Sequence, residues 1–214
     1  MSVAKHVFTL AEKWEVIEKS PARNTQQLED NSQKERYLTT AEMHRLLEAL
    51  KGCNSTVVPD IVEFLMVTGA RKTEVVELTW SEIDLTTATW TLPAERNKGK
   101  RPKTVPLSVR AVEVLKRRQD NGSEYVFPTP KSGKPLQHFH RTWDRIRKKA
   151  KIPDVRLHDL RHSYASFLIN SGRSLYEVQK LLGHSQIQTT QKYAHLTRNT
   201  LSEATKTMDV LMGI

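Results

Sequence analysis

The chain of 214 residues has one cysteine, Cys53, which excludes an internal disulfide and any zinc site built on several cysteines. No apolar run approaches the roughly 18 residues of a membrane span. Residues 1–20 interleave Lys5, Glu12, Lys13, Glu15, Glu18 and Lys19, so no clean apolar stretch offers a secretory leader. The glycine-rich phosphate loop of nucleotide hydrolases is absent. His138 and His140 stand two apart with no cysteine or carboxylate completing a zinc pattern, so no metal site is expected. Asn54-Ser55-Thr56 and Asn121-Gly122-Ser123 match the glycosylation pattern, and without export both read as chance. These absences predict a cytoplasmic protein with no membrane association, and a content of 37% hydrophobic and 27% charged residues suits a globular one.

Positive charge is abundant but uneven. The formal net charge is +10, yet residues 1–90 hold 10 Lys and Arg against 14 Asp and Glu, while residues 91–214 hold 24 against 10. Clustered cations release counterions from a phosphate backbone, so a polyanion such as double-stranded DNA is the natural partner. A basic surface that serves only solubility is the plain alternative.

Periodicity predicts a mostly α-helical chain with one small antiparallel sheet, an α+β class. Residues 4–19 place Val7, Leu10, Ala11, Trp14 and Ile17 at helical spacing, and Ser20-Pro21 ends the run. Residues 21–36 are polar and aperiodic, as in a linker. Thr39-Thr40-Ala41-Glu42 and Ser174-Leu175-Tyr176-Glu177 fit capping boxes, Pro59 suits a helix start, and Gly69 suits a helix stop. A short helix is expected over residues 71–77. Residues 86–92 and 103–107 read as two strands joined by a basic turn, Asn97-Lys98-Gly99-Lys100. Helices are expected after Ser108, over residues 139–150 and 158–171, before Gly183, and over residues 198–211, with a short segment near residues 189–193.

Five short motifs stand in order along this frame: Thr68-Gly69-Ala70-Arg71 with Glu74 and Leu78; Lys98 in the basic turn with Val105-Pro106-Leu107; His158-Asp159-Leu160-Arg161-His162; Leu181-Leu182-Gly183-His184-Ser185; and Thr189-Thr190-Gln191-Lys192-Tyr193, its tyrosine nine residues after His184. In this order and spacing they resemble the tyrosine recombinase, or phage integrase, family over residues 37–212. The resemblance implies that fold for residues 37–214. It also implies site-specific DNA cleavage and rejoining through a 3′-phosphotyrosine, an enzyme that needs no cofactor.

The resemblance implies Tyr193 as nucleophile, with Arg71, Lys98, His158, Arg161 and His184 completing the catalytic set. That chemistry suits these residue types. Two guanidinium forks can hold the non-bridging oxygens of a phosphorane, and preorganised charge of this kind is usually the largest catalytic contribution. A phenol of pKa about 10 needs help to ionise; His158 is the candidate acceptor of its proton, and Lys98 the acid that protonates the departing 5′-oxygen. Glu74 is expected to orient Arg71 or His158, or else to form a simple intrahelical ion pair with Arg71. Arg96, Lys100, Arg101 and Lys103 are expected to touch DNA from the hairpin tip. Tyr164 and Tyr176 lie on apolar helical faces and suit core positions. His162, beside Arg161, is expected to pack rather than react.

Residues 4–21 resemble the last helix of the core-binding domain that precedes the catalytic domain in the family, so residues 1–36 are expected to be its remnant plus a linker. Members assemble as homotetramers on DNA by passing a C-terminal segment to a neighbour, while the free chain is expected to be a monomer. The face of Leu201, Ala204, Met208 and Leu211 could serve that exchange or pack on its own domain. A type IB topoisomerase and a non-catalytic DNA-binding remnant are the rival functions.

Overall fold

A computed structural model describes residues 3–24, 36–97, 99–119, 121–183, 188–191 and 193–194. The chain divides into two units, Met1–Lys34 and Glu35–Ile214. In the first, α1 runs Val3–Lys13. It stops short of the expected span, because the backbone turns at Glu15, whose φ is 58°, and the Val16 N–H reaches back to Ala11.

The second unit carries eight α-helices among its described residues: α2 Thr40–Lys51, α3 Val58–Thr68, α4 Lys72–Val76, α5 Val109–Arg118, α6 His140–Lys149, α7 Leu157–Asn170, α8 Leu175–Leu182 and α9 Gln188–Gln191. Both expected capping boxes are present, Thr39 with Glu42 at the start of α2 and Ser174 with Glu177 at the start of α8. The Ser108 hydroxyl caps α5 by accepting from the Ala111 N–H at 3.2 Å. The helix expected over residues 198–211 lies outside the described residues.

The sheet has three antiparallel strands in the order β1 Ile83–Asp84, β2 Thr89–Leu92 and β3 Lys103–Pro106. Its register places Trp90 opposite Val105 and Leu92 opposite Lys103. The first expected strand is therefore shorter at its start. The Asp84 carboxylate accepts from the Thr86 and Thr87 N–H groups at 2.8 and 3.1 Å. That turn folds residues 85–87 away from the ladder and lets Ile83–Asp84 pair as a third strand.

Helix α3 lies at the centre, packed against α5 and α7, while α2 packs on α6. Its Ile61, Val62, Phe64 and Leu65 are buried, and Phe64 meets Trp90 and Phe127 with ring centroids 5.8 and 5.7 Å apart. Two acidic residues of α3 take up part of the basic excess: Glu63 binds Arg110 and Arg117, and Asp60 binds Arg117. A second, smaller core joins Ala165 and Ile169 of α7, Val178 and Leu182 of α8, and Tyr193. It seats the tyrosine segment on the helix pair that also carries Arg161.

Candidate active site

Helices α3 and α8 both end at a glycine in the left-handed region, Gly69 at φ 62° and Gly183 at φ 66°. The last carbonyls of a helix lack intrahelical partners and carry partial negative charge. Arg161, 4% exposed on α7, fills that need twice: Nη1 donates to the Gly69 carbonyl and Nη2 to the Leu182 carbonyl, each at 2.7 Å. The guanidinium has five N–H donors, so three remain after these two bonds. Burial and the nearby Arg71 push its pKa down to about 10, partly offset by Glu74 and Tyr193.

Arg71 opens α4. The Glu74 carboxylate reaches back to it, accepting from the Arg71 backbone N–H at 2.9 Å and from Nη1 at 2.7 Å. Glu74 thus fixes both the backbone and the guanidinium of Arg71. Lys103 enters from β3. Its stem lies over Gly183 so closely that a Cβ there would meet the lysine Cδ at 2.6 Å. Burial, with Arg161 and Arg71 close by, lowers its pKa to about 8 against the pull of Glu74. The cluster therefore holds three cations around one carboxylate, an excess of two positive charges in a poorly solvated place.

Tyr193 is 1% exposed, and its Oη lies 2.6 Å from Nδ1 of His162, itself 8% exposed. The His162 ring meets the His158 ring edge-on, centroids 4.8 Å apart. His158 is exposed and lines a cleft of about 650 Å³ with Lys72, Arg141, Arg147 and Arg156.

The sequence matches the phage integrase family over residues 36–200. The chain belongs to that family. It is 28% identical to the integrase of Salmonella phage P22 over 226 residues, which is 100% of this chain and 57% of the relative. It is 31% identical to the integrase of Escherichia phage P2 over 188 residues, 86% of this chain and 50% of the relative. The chain thus spans about half the length of these curated relatives. Among solved structures it is similar to the catalytic domain of bacteriophage HP1 integrase, with a TM-score of 0.61, 28% identity, and coverage of 79% of this chain and 93% of that one. It shares a fold with the XerH recombinase bound to its palindromic difH substrate, at a TM-score of 0.69, 22% identity, and coverage of 95% and 64%.

Within this integrase-family domain, Arg71, Glu74, Arg161 and Lys103 come together, with Tyr193 near enough to Arg161 to influence its charge. Lys98 and His184 lie outside the described residues. Lys100 and Arg101 are exposed at the hairpin tip, which Asn97 holds by donating to the Arg101 carbonyl at 2.7 Å. Arg96 is turned the other way. It binds Glu82 and donates to the Glu74 backbone carbonyl at 3.0 Å, which makes it a strut under α4 rather than an outward contact. Lys103 faces the arginine cluster instead of the hairpin exterior. His162, expected only to pack, is bonded to the tyrosine. No sequence signal marks that contact, because it joins residues 31 apart.

Proposed function

We propose that this domain cleaves and rejoins double-stranded DNA by transesterification, with Tyr193 as nucleophile and without metal or ATP. One observation carries this: two surplus positive charges, fixed by Arg71, Lys103 and Arg161 around Glu74, lie beside a buried tyrosine. A phosphodiester brings one negative charge and its phosphorane two, so the cluster matches the transition state better than the substrate. Arg71 and Arg161 hold the non-bridging oxygens, and His184 adds a donor. Lys98 gives a proton to the departing 5′-oxygen. The tyrosyl oxygen forms the new bond to phosphorus, and a second 5′-hydroxyl reverses the step, so the phosphodiester energy is kept.

Residues 37–214 form the catalytic domain in this reading, residues 1–36 being the end of a core-binding domain plus a linker. Lys100 and Arg101 contact the DNA backbone, and the active assembly is a homotetramer on DNA formed from free monomers. The test uses a library of nicked duplexes with randomised arms, the covalent adduct being read on a denaturing gel. Wild type should form an adduct mapping to Tyr193, while Tyr193→Phe should bind DNA and form none. An adduct on Tyr164 or Tyr176 would refute the nucleophile. No adduct at all would favour a DNA-binding remnant, and site-independent relaxation of supercoils would favour a topoisomerase.

A further inference from the structure

With Lys98 taken as the acid, as proposed above, we infer that Arg96 is a positioning residue that holds the root of the Lys98 hairpin against α4. The strand pairing ends at Leu92 and Lys103. The outgoing leg then makes a turn in which the Arg96 and Asn97 N–H groups donate to the Pro93 carbonyl at 3.2 and 3.1 Å. Lys98 follows Arg96 by two residues in the chain. A short free segment samples fewer positions than a long one, so the point where the leg is fixed governs how well a tip residue is aimed.

Arg96 fixes the leg with its guanidinium fork. Nη1 donates to the Glu82 carboxylate, Nη2 donates to the Glu74 carbonyl at 3.0 Å, and Nε lies 3.8 Å from the Glu77 carboxylate. What the fork grips is itself held by the core. Glu82 also accepts from the indole N–H of buried Trp90 at 3.0 Å. In α4, Val75 and Val76 are buried. The Leu78 N–H bonds the Val75 carbonyl at 3.2 Å, and the guanidinium takes up the Glu74 carbonyl. Since α4 and Glu82 are anchored, the hairpin leg is the side that Arg96 positions. The Arg96 side chain is 22% exposed, whereas Lys100 and Arg101 beyond it stand in solvent.

The same stretch of α4 holds Arg71, through the Glu74 carboxylate. Arg96 therefore gives the acid-bearing loop and an arginine of the cluster a common base. In ordinary DNA the P–O5′ bond breaks as the 5′-oxygen takes a proton from Lys98 and the tyrosyl oxygen bonds to phosphorus. A leg cut loose from α4 aims that proton poorly while leaving the cluster in place.

The experiment compares two substrates. One is a nicked duplex selected from the library above; the other is the same duplex with a 5′-bridging phosphorothiolate at the cleaved position, whose thiolate leaves without a proton. Removing the guanidinium alone would strand the Glu82 carboxylate, whose side chain is 7% exposed. The test variant is therefore Arg96→Met with Glu82→Gln, whose amide oxygen can still accept from Trp90. It should keep the wild-type far-UV circular dichroism and DNA affinity. At saturating protein it should form adduct about 10-fold to 10²-fold more slowly on ordinary DNA. On the phosphorothiolate the deficit should shrink to within about threefold. Added to Lys98→Ala, the pair should cost little more, because both act on one proton transfer. Arg96→Lys keeps a charge beside Glu82, which protects the fold, but replaces the fork by a point charge; it should show the same split with a smaller deficit. An equal deficit on both substrates would make Arg96 a general structural support and overturn the inference. Weakened binding with an unchanged saturated rate would make it a DNA contact and overturn it too. If the thiolate relieves Lys98→Ala but neither Arg96 variant, only this inference fails. If it does not relieve Lys98→Ala, the acid reading fails, and this role with it.

Discussion

Replacing Lys103 by methionine should make the domain more stable and less active. The substitution keeps an unbranched stem over Gly183 and removes a buried ammonium. The pKa of Lys103 falls from 10.5 to about 8. At about 1.36 kcal/mol per unit, holding this charge in the fold costs roughly 3 kcal/mol at neutral pH. Below pH 8 the folded and unfolded chains both carry the proton, and the whole cost stands. Between about 8 and 10.5 the folded chain sheds its proton first, so wild-type stability rises with pH relative to the variant. The advantage of Lys103→Met should therefore be about 3 kcal/mol at pH 7 and about 1.4 kcal/mol at pH 9.5, vanishing above the unfolded value. In heat, that is a rise of the order of 5–10 °C near neutrality for a domain of this size. Urea melts at both pH values, without DNA, measure the gap directly. The same variant should form adduct more slowly, since the cluster loses one of its two surplus charges. A variant less stable than wild type at pH 7, or an advantage that grows with pH, would show that Lys103 stabilises the fold as an ordinary ion-pair partner and would refute the argument.

Gly69→Ala should cost roughly 2–4 kcal/mol by chemical denaturation, because the position is left-handed and the new Cβ would come within 2.4 Å of the Tyr164 ring. Glu42 is held at a pKa of about 2 by Arg36. Its depressed pKa gives stability that is complete above 4.5 and is lost as pH falls toward 2, so Glu42→Gln should lose roughly 2–3 kcal/mol at pH 7 and almost nothing at pH 2. Lys98→Ala should slow cleavage of ordinary phosphodiester DNA far more than it weakens binding, and a bridging thiolate should restore much of the rate; Lys100→Ala and Arg101→Ala should mainly weaken binding in salt-dependent gel shifts.

Local chemistry made much of this fold legible. Thr39 with Glu42, Ser174 with Glu177, and Ser108 each mark a helix start by satisfying orphan N–H groups, and the structure begins α2, α8 and α5 there. Gly69 and Gly183 mark ends because only glycine enters the left-handed region cheaply. Strand β1 was hidden because its two residues carry no pattern of their own and form only through pairing with β2. Lys103 was misplaced for a different reason. Grouping it with the basic tip follows charge and ignores parity. It shares a face with Val105, two residues on, and stands opposite the buried Leu92. Directly opposed residues of an antiparallel pair point to the same side, so the alternation itself aimed the lysine inward. The same grouping draws Arg96 outward, while its acidic partners Glu77, 3.8 Å away, and Glu82 lie far enough back in the chain to hide the network. The contact between His162 and Tyr193 depends on where the C-terminal segment lands, which no local pattern encodes.

The two bonds from Arg161 to helix-terminal carbonyls also set which changes the domain can absorb. One backbone carbonyl immediately precedes the Ala70-Arg71 step and the other immediately precedes Gly183 and His184, so a single planar side chain gauges the separation of both motifs from α7. Chain length between these points is then free to vary. An insertion in the loop after α6, or at the hairpin tip, changes the path between fixed stations without moving them. Backbone angle at the two glycines has no such freedom, for a rotation there would swing a carbonyl off the guanidinium. Relatives of this domain should therefore diverge by lengthening and shortening loops while the Thr-Gly-Ala-Arg turn and the Leu-Gly helix end keep their shape. Grafting new loops onto the scaffold should leave Arg161 bonded to both helix ends.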